Sequence, residues 1–176
     1  MIERKKIDLV ILAGGRGSRI SKYLKNIPKP LYEFNKITFL QYLLNYYCKY
    51  PIGTIYIIAG YKGSKIFNKF NNKVLNFVKI ICLIEKEPMG TGGALSLVKN
   101  KIKNDFLVIN GDSILMHDIN FFFKEKFKLK KNIIFLTKKK NYISNKKLAN
   151  IDINKKKQVI FKNKSNYMNA GVYFFK

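Results

Sequence analysis

The residues best suited to chemistry follow the first apolar run of the chain. Leu12-Ala13-Gly14-Gly15-Arg16-Gly17-Ser18-Arg19-Ile20 comes directly after Ile7 to Ala13, and Pro28-Lys29-Pro30-Leu31 lies a short way on. Glycines let a backbone approach a polyphosphate closely, and N–H groups at the start of a following helix can receive its negative charge. Arg19 and Lys29 add cationic donors, which would stabilise the charge of phosphate oxygens. Two familiar phosphate loops do not fit. Gly15 to Ile20 lacks the third glycine of GxGxxG, and no GxxxxGK[ST] is present.

A second group is Asn110-Gly111-Asp112, which follows the apolar run Phe106 to Ile109. That order puts Asp112 at a strand's carboxyl end, where open α/β sheets gather ligands. Mg²⁺ accepts one or two carboxylates together with phosphate oxygens, so Asp112 is the candidate metal ligand. Nearby, Asp118 reads as a helix cap, and His117, the single histidine, has no paired ligand nearby. No Ser/His/Asp or Cys/His arrangement supports a covalent nucleophile.

The elements that must hold these residues are legible from hydropathy. Short β-branched runs recur at Ile7 to Ala13, Thr54 to Ala59, Val78 to Leu83, Phe106 to Ile109 and Ile133 to Leu136. Helical spacing falls between them, at Phe39 to Tyr47, Ser64 to Phe70, Thr91 to Ile102, and Ile119 to Phe127 with Asp118 as N-cap. This β-α-β alternation predicts a three-layer α/β sandwich around a mostly parallel sheet. From about Asn141 the pattern changes to short strands at Leu148 to Ile153, Gln158 to Phe161 and Ala170 to Phe175, expected to cap the sheet. The sequence stops after the apolar run Gly171 to Phe175, as expected of one domain over residues 1–176 that lacks its C-terminal part.

Composition narrows the class. With 176 residues, 47% of them hydrophobic, the chain can bury a core, which excludes a disordered tail. The formal charge of +25 resides almost wholly in Lys, with Arg only at Arg4, Arg16 and Arg19. Nucleic-acid readers favour the bidentate fork of Arg, so this charge reads as a general Lys/Asn bias and no nucleic-acid partner is expected. Cys48 and Cys82 lie in apolar runs without metal-ligand spacing and are expected to be reduced core residues. No run reaches the roughly 18 apolar residues of a membrane helix, so a cytoplasmic protein without a membrane partner is expected.

The glycine loop and the Pro-Lys-Pro element together resemble the sugar-1-phosphate nucleotidyltransferases, whose hallmark is GGxG(T/S)R followed by PKP. Matching positions are Gly14, Gly15, Gly17, Ser18, Arg19, Pro28, Lys29 and Pro30. Glu85-Lys86-Glu87-Pro88-Met89-Gly90-Thr91-Gly92-Gly93-Ala94 is similar to the guanylyltransferases acting on mannose- or D-glycero-D-manno-heptose-1-phosphate. The resemblance implies the Rossmann-like nucleotide-diphospho-sugar transferase fold, an Mg²⁺ cofactor, and a nucleoside triphosphate and a sugar-1-phosphate as partners; a homo-oligomer is left open. It also implies Leu12, Ala13 and the loop glycines against the nucleotide, with Arg19, Lys29 and Asp112 as catalytic groups. By the same resemblance Gly90 and Thr91 meet the base edge, and Glu85 or Glu87 could accept from a guanine N1–H and N2–H pair. Asn110, Gly111, Lys164 and Asn169 would face the sugar.

Some positions depart from the family pattern. Asn163 stands where a Glu is usual, Leu148-Ala149 replaces Tyr-Gly, and Ile37-Thr38 replaces the Pro expected after Pro-Lys-Pro. Three alternatives therefore stay open: a sister enzyme using thymidine, uridine or cytidine triphosphate, a non-catalytic nucleotide-binding relative, and a nucleotide-sugar glycosyltransferase. The last normally carries Asp-x-Asp, whereas Asp112-Ser113-Ile114 lacks the second Asp.

Overall fold

Strict alternation within the apolar runs sets the layering. A computed structural model describes residues 6–24, 26–116, 118–123, 131–138, 151–161 and 165–176. In chain order the elements are β1 (Ile7–Ala13), the hairpin β2 (Glu33–Phe34) and β3 (Ile37–Thr38), α1 (Phe39–Tyr47), β4 (Ile52–Ala59) and α2 (Gly63–Phe70). There follow β5 (Val74–Leu75), β6 (Val78–Ile84), α3 (Gly90–Ala94), β7 (Phe106–Asn110), β8 (Ile133–Lys138), β9 (Ile151–Ile153), β10 (Val159–Phe161) and β11 (Tyr167–Phe175). Leu9 and Ile11 of β1, Ile55 and Ile57 of β4, and Leu107 and Ile109 of β7 join one core cluster. Their neighbours Val10, Tyr56, Ile58 and Val108 join another on the opposite face. Successive side chains of a strand point to opposite faces, so each central strand serves two layers.

The helices divide accordingly. In α1, Leu40, Leu43, Leu44 and Tyr47 are buried at i, i+3, i+4 and i+7, while Thr38 Oγ1 caps the first turn by accepting from Gln41 N. Ile66 and Phe70 of α2 bury on the same side of the sheet. Ala94 of α3 and Val98 of the 3₁₀ turn Leu95–Val98 cover the other side. The expected helix from Thr91 to Ile102 is thus shorter and partly 3₁₀. Gly90, Gly92 and Gly93 explain this, because each glycine disfavours helix by about 1 kcal/mol relative to Ala. The segment after Asp118 begins with a 3₁₀ turn, Asn120–Phe123, with Asp118 Oδ1 accepting from Asn120 N; residues 124–127 of the expected helix lie outside the described residues.

The main sheet runs β10-β9-β11-β7-β1-β4-β6-β5, with β8 also paired to β11. Its centre, β7-β1-β4-β6, is parallel. The strands read as a cap instead extend this sheet: β11 pairs antiparallel with β7, and β9 and β8 pair with β11. The outer edge of β7 presents unpaired backbone groups, and β11 satisfies them. β11 also begins at Tyr167 rather than Ala170, and residues 148–150 of the expected third-to-last strand lie outside the described residues. The two-residue strands β2, β3 and β5 are too short to leave a periodic signal.

Candidate active site

The chain passes from β1 to β4 and β6 on one side and then returns to β7 on the other side of β1. Such a reversal opens a crevice at the strands' carboxyl ends. A cavity of about 560 Å³ lies there. One wall is the end of β1 and the loop after it: Leu12, Ala13, Gly14, Gly15, Gly17, Ser18 and Arg19. Asn110 at the end of β7, with Gly111 and Asp112 beyond it, closes it on one side, and Gly111 N donates to Leu12 O at 2.8 Å. Glu85, Gly90 and Thr91, beyond β6, close it on the other.

Gly17 shows how locally the loop is constrained. It turns into Ser18 with φ 63°, a left-handed conformation, and an added Cβ would sit 3.0 Å from Lys29 Cβ and 3.1 Å from Leu24 Cδ1. Only glycine takes this backbone without strain. The loop leads into a 3₁₀ segment, Ser18–Tyr23, kinked at Ile20, where an α-helix start was expected. Lys29 opens another 3₁₀ turn, whose Pro30 and Leu31 are buried and so anchor the lysine to the core.

The chief electrostatic feature is the contact between Lys29 and Asp112, 83 positions apart in sequence. Lys29 Nζ donates to Asp112 Oδ2 at 2.7 Å, with side chains 36% and 41% exposed. Asp112 Oδ1 accepts from Ser113 Oγ at 3.4 Å. The loop beyond is braced from α1, where Tyr46 Oη donates to Leu115 O at 3.1 Å. A cation and a carboxylate thus meet beside a glycine-rich backbone, an arrangement suited to phosphate oxygens and one hard cation. Among the described residues no cluster of three or more His, Cys, Asp or Glu could hold a metal unaided.

The structure brings most of the sequence candidates together and leaves some apart. Glu85 lines the cavity, and its Oε1 accepts from Met89 N at 2.8 Å. Glu87 is exposed and outside the cavity wall. Asn169 is also outside the wall: it donates to Tyr173 Oη at 2.6 Å and accepts from Gly171 N at 2.8 Å. Asn110 provides the link between β11 and the cavity, since its side chain packs on Gly171. Lys164, Asn163 and His117 lie outside the described residues. Cavity residues not singled out in the sequence are apolar: Ile20, Ile58, Pro88 and Ala94. Only their placement next to strand ends or loop motifs could have marked them. A second, apolar hollow of about 340 Å³, walled by Tyr23, Tyr32, Phe34 and Phe39, adjoins the Lys29–Asp112 pair.

Away from the cavity, Cys48 and Cys82 are free and buried, as expected; burial pushes their thiols up to about 11 and about 12. No described helix is long and apolar enough to cross a membrane.

Comparison with known proteins agrees with this geometry. The family model described as nucleotidyl transferase matches residues 9–176. The D-glycero-alpha-D-manno-heptose 1-phosphate guanylyltransferase of Campylobacter jejuni is 33% identical over 172 residues, spanning 95% of this chain and 75% of that protein. The bifunctional protein GlmU of Methanococcus aeolicus is 34% identical over 176 residues, or 96% of this chain and 40% of that one. Among solved structures, HddC from Yersinia pseudotuberculosis complexed with GMP-PN superposes with a TM-score of 0.73 at 27% identity, covering 97% of this chain and 76% of HddC. A putative glucose-1-phosphate thymidylyltransferase from Bacillus anthracis reaches a TM-score of 0.80 at 22% identity over 97% of this chain and 71% of that one, a likeness of fold. With the family model matched from β1 through β11 over a glycine loop, a Pro-Lys-Pro lysine and an Asn-Gly-Asp turn that share one cavity, the chain belongs to the nucleotidyl transferase family, among its sugar-1-phosphate nucleotidyltransferases.

Proposed function

We propose that this chain joins a nucleoside triphosphate, with GTP favoured, to a manno-configured hexose- or heptose-1-phosphate, giving a nucleotide sugar and pyrophosphate. The observation that carries the reading is the 2.7 Å Lys29–Asp112 contact inside the cavity that the glycine loop lines. An oxygen of the sugar phosphate attacks the α-phosphorus in line, a new P–O bond forms, and the bond to the β-phosphate oxygen breaks. The electron pair leaves with pyrophosphate, and no covalent enzyme intermediate forms. Catalysis is then positioning plus neutralisation of charge.

In this scheme the loop from Gly14 to Ser18 and the Arg19 guanidinium hold the triphosphate. Lys29 exchanges its partner Asp112 for the α-phosphate and sugar phosphate oxygens. Asp112, freed of the lysine, would hold Mg²⁺, and a single carboxylate fits, because Mg²⁺ keeps several waters and fills its shell with phosphate oxygens. When bound, Mg²⁺ supplies positive charge that lessens repulsion between the two phosphates. Leu12, Ile58 and Ala94 offer apolar surface to the base, while Gly90 and Thr91 present its edge with backbone groups. Glu85 Oε1 is engaged by Met89 N–H, which leaves Oε2 as its acceptor toward a guanine. Asn110 and Gly111 are assigned to the sugar, with Lys164 and Asn169 completing that side.

The guanylyltransferase relatives and the HddC complex with GMP-PN support guanine. The GlmU relatives, at comparable identity, are not named for guanylyl transfer, so a uridylyl-, thymidylyl- or cytidylyltransferase stays the second reading. Pyrophosphate release with Mg²⁺ across the nucleoside triphosphates and a set of hexose- and heptose-1-phosphates separates them. A signal requiring both GTP and a manno-configured sugar phosphate is the expected result. Equal rates with uridine triphosphate would overturn the guanine assignment, and nucleotide binding without turnover would favour a non-catalytic relative.

A further inference from the structure

The central parallel strands end in one row. Ala13 of β1 pairs with Ala59 of β4, and Ala59 pairs with Ile84 of β6. The next residue along each chain segment is therefore Gly14, Gly60 and Glu85, lying side by side beneath the cavity. Backbone bonds tie the row together: Tyr61 N donates to Gly14 O at 3.1 Å, and Glu85 N donates to Ala59 O at 2.8 Å. The two glycines are in unusually close contact. A Cβ on Gly60 would lie 2.9 Å from Gly14 Cα, from Gly14 O and from Glu85 Oε2, and a Cβ on Gly14 would lie 2.6 Å from that same oxygen. Real Cβ atoms do not tolerate such distances, least of all against backbone.

The Glu85 carboxylate accordingly bridges two loops. Its Oε2 occupies the space that a Cβ on Gly14 or Gly60 would take, at the root of the glycine loop, and its Oε1 accepts from Met89 N at 2.8 Å, at the root of the Gly90-Thr91 turn. A hydrogen bond from an amide to a carboxylate is among the stronger kinds, and this one is local to the nucleotide cavity. We propose that Glu85, seated on Gly60, is a positioning residue: it fixes the spacing between the glycine loop and the Gly90-Thr91 turn, so phosphate binding depends on it as well as base binding. This rests on reading the cavity as a nucleotide site. Gly60 carried no signal in the sequence, because it belongs to no phosphate motif and follows a strand that holds no candidate residue.

The experiment measures binding of inorganic tripolyphosphate, which has no base, and of GTP, each with Mg²⁺, by calorimetry. Wild type is compared with Glu85→Ala, Glu85→Gln and Gly60→Ala, with melting temperatures alongside. Loss of the bridge is expected to weaken tripolyphosphate binding about tenfold in Glu85→Ala and in Gly60→Ala. Glu85→Gln, which keeps an acceptor for Met89 N–H, is expected to restore it to within about threefold. If Glu85→Ala loses GTP affinity but binds tripolyphosphate as wild type does, Glu85 only reads the base and the positioning role is overturned, while the nucleotide reading stands. If the wild type binds neither ligand, both readings fall. Should Gly60→Ala fail to fold, the half-exposed Glu85 variants decide the matter alone.

Discussion

Lys29 and Asp112 allow the proposed chemistry to be separated from stability. They form an ion pair at 2.7 Å with 36% and 41% of their side chains exposed, and an exposed pair of this kind contributes about 0–1 kcal/mol to folding. Neither residue is part of the buried core. Lys29→Ala or Asp112→Asn should therefore lower the melting temperature by no more than about 2–4 °C for a domain of this size. The effect on turnover is expected to be far larger. Removing one preorganised donor aimed at developing phosphate charge costs about 10²–10³-fold in kcat, or roughly 3–4 kcal/mol. Because both residues act on the same transferring group, the double variant should lose about as much as the worse single variant rather than the product of the two. Continuous pyrophosphate detection at saturating nucleoside triphosphate and sugar phosphate, with circular dichroism melts on the same samples, measures both quantities. Wild-type kcat in either single variant would refute the assignment of that residue. A melting temperature lowered by 10 °C or more would show that the pair's chief role is to hold the fold.

Other outcomes follow from individual contacts. Gly17→Ala forces a left-handed backbone on alanine and pushes at Lys29 Cβ, so nucleotide affinity and kcat should both fall, by about tenfold together; an unaltered kcat/KM would mean that the loop can shift freely. Thr38→Ala removes the side-chain cap of α1, and chemical denaturation should show a loss of about 1 kcal/mol with little change in activity. Burial holds the Asp8 carboxyl above its usual 3.8, against the opposing Thr54 N–H bond. The folded chain thus binds this proton more tightly than the unfolded chain, so this carboxyl makes stability fall as pH rises above 3.8. Asp8→Asn should flatten that slope and gain stability at pH 7, and parallel curves for both proteins would contradict it. With thiols pushed up to about 11 and about 12, Cys48 and Cys82 should react with a disulfide reagent at pH 8 only after denaturation.

Much of the architecture is a local property of the sequence. The short, β-branched apolar runs of β1, β4, β6 and β7 and the i, i+3, i+4 spacing of α1 specify strand or helix from neighbouring residues alone, because a strand covered on both faces is apolar throughout and a helix covered on one face is apolar at its period. The glycine loop and Asp112 are visible because unusual residue types directly follow predicted strands, and Lys29 because it stands between two prolines a short way beyond the loop. Tertiary pairing or composition outweighs periodicity in two of the local readings: the glycines of the Gly90 turn shorten a helix, and the free edge of β7 draws β11 into the main sheet. The strand β5, which the sequence does not mark, exists only through its pairing with β6.

What remained for tertiary structure to decide was which chemically suggestive residues share one space. The types of Glu85 and Glu87 did not say which would line the cavity; the register of β6 against β4 carries Glu85 to the row of Gly14 and Gly60 and leaves Glu87 exposed. Asn169, despite its motif, is held by Tyr173 and Gly171. The Lys29–Asp112 contact and the glycine-on-glycine packing at Gly60 depend on segments distant in the chain. Pairing along a sheet is a long-range property, and a shift of register by one residue reverses every side chain, so sequence supplies the groups and only the assembled sheet sets the distances between them.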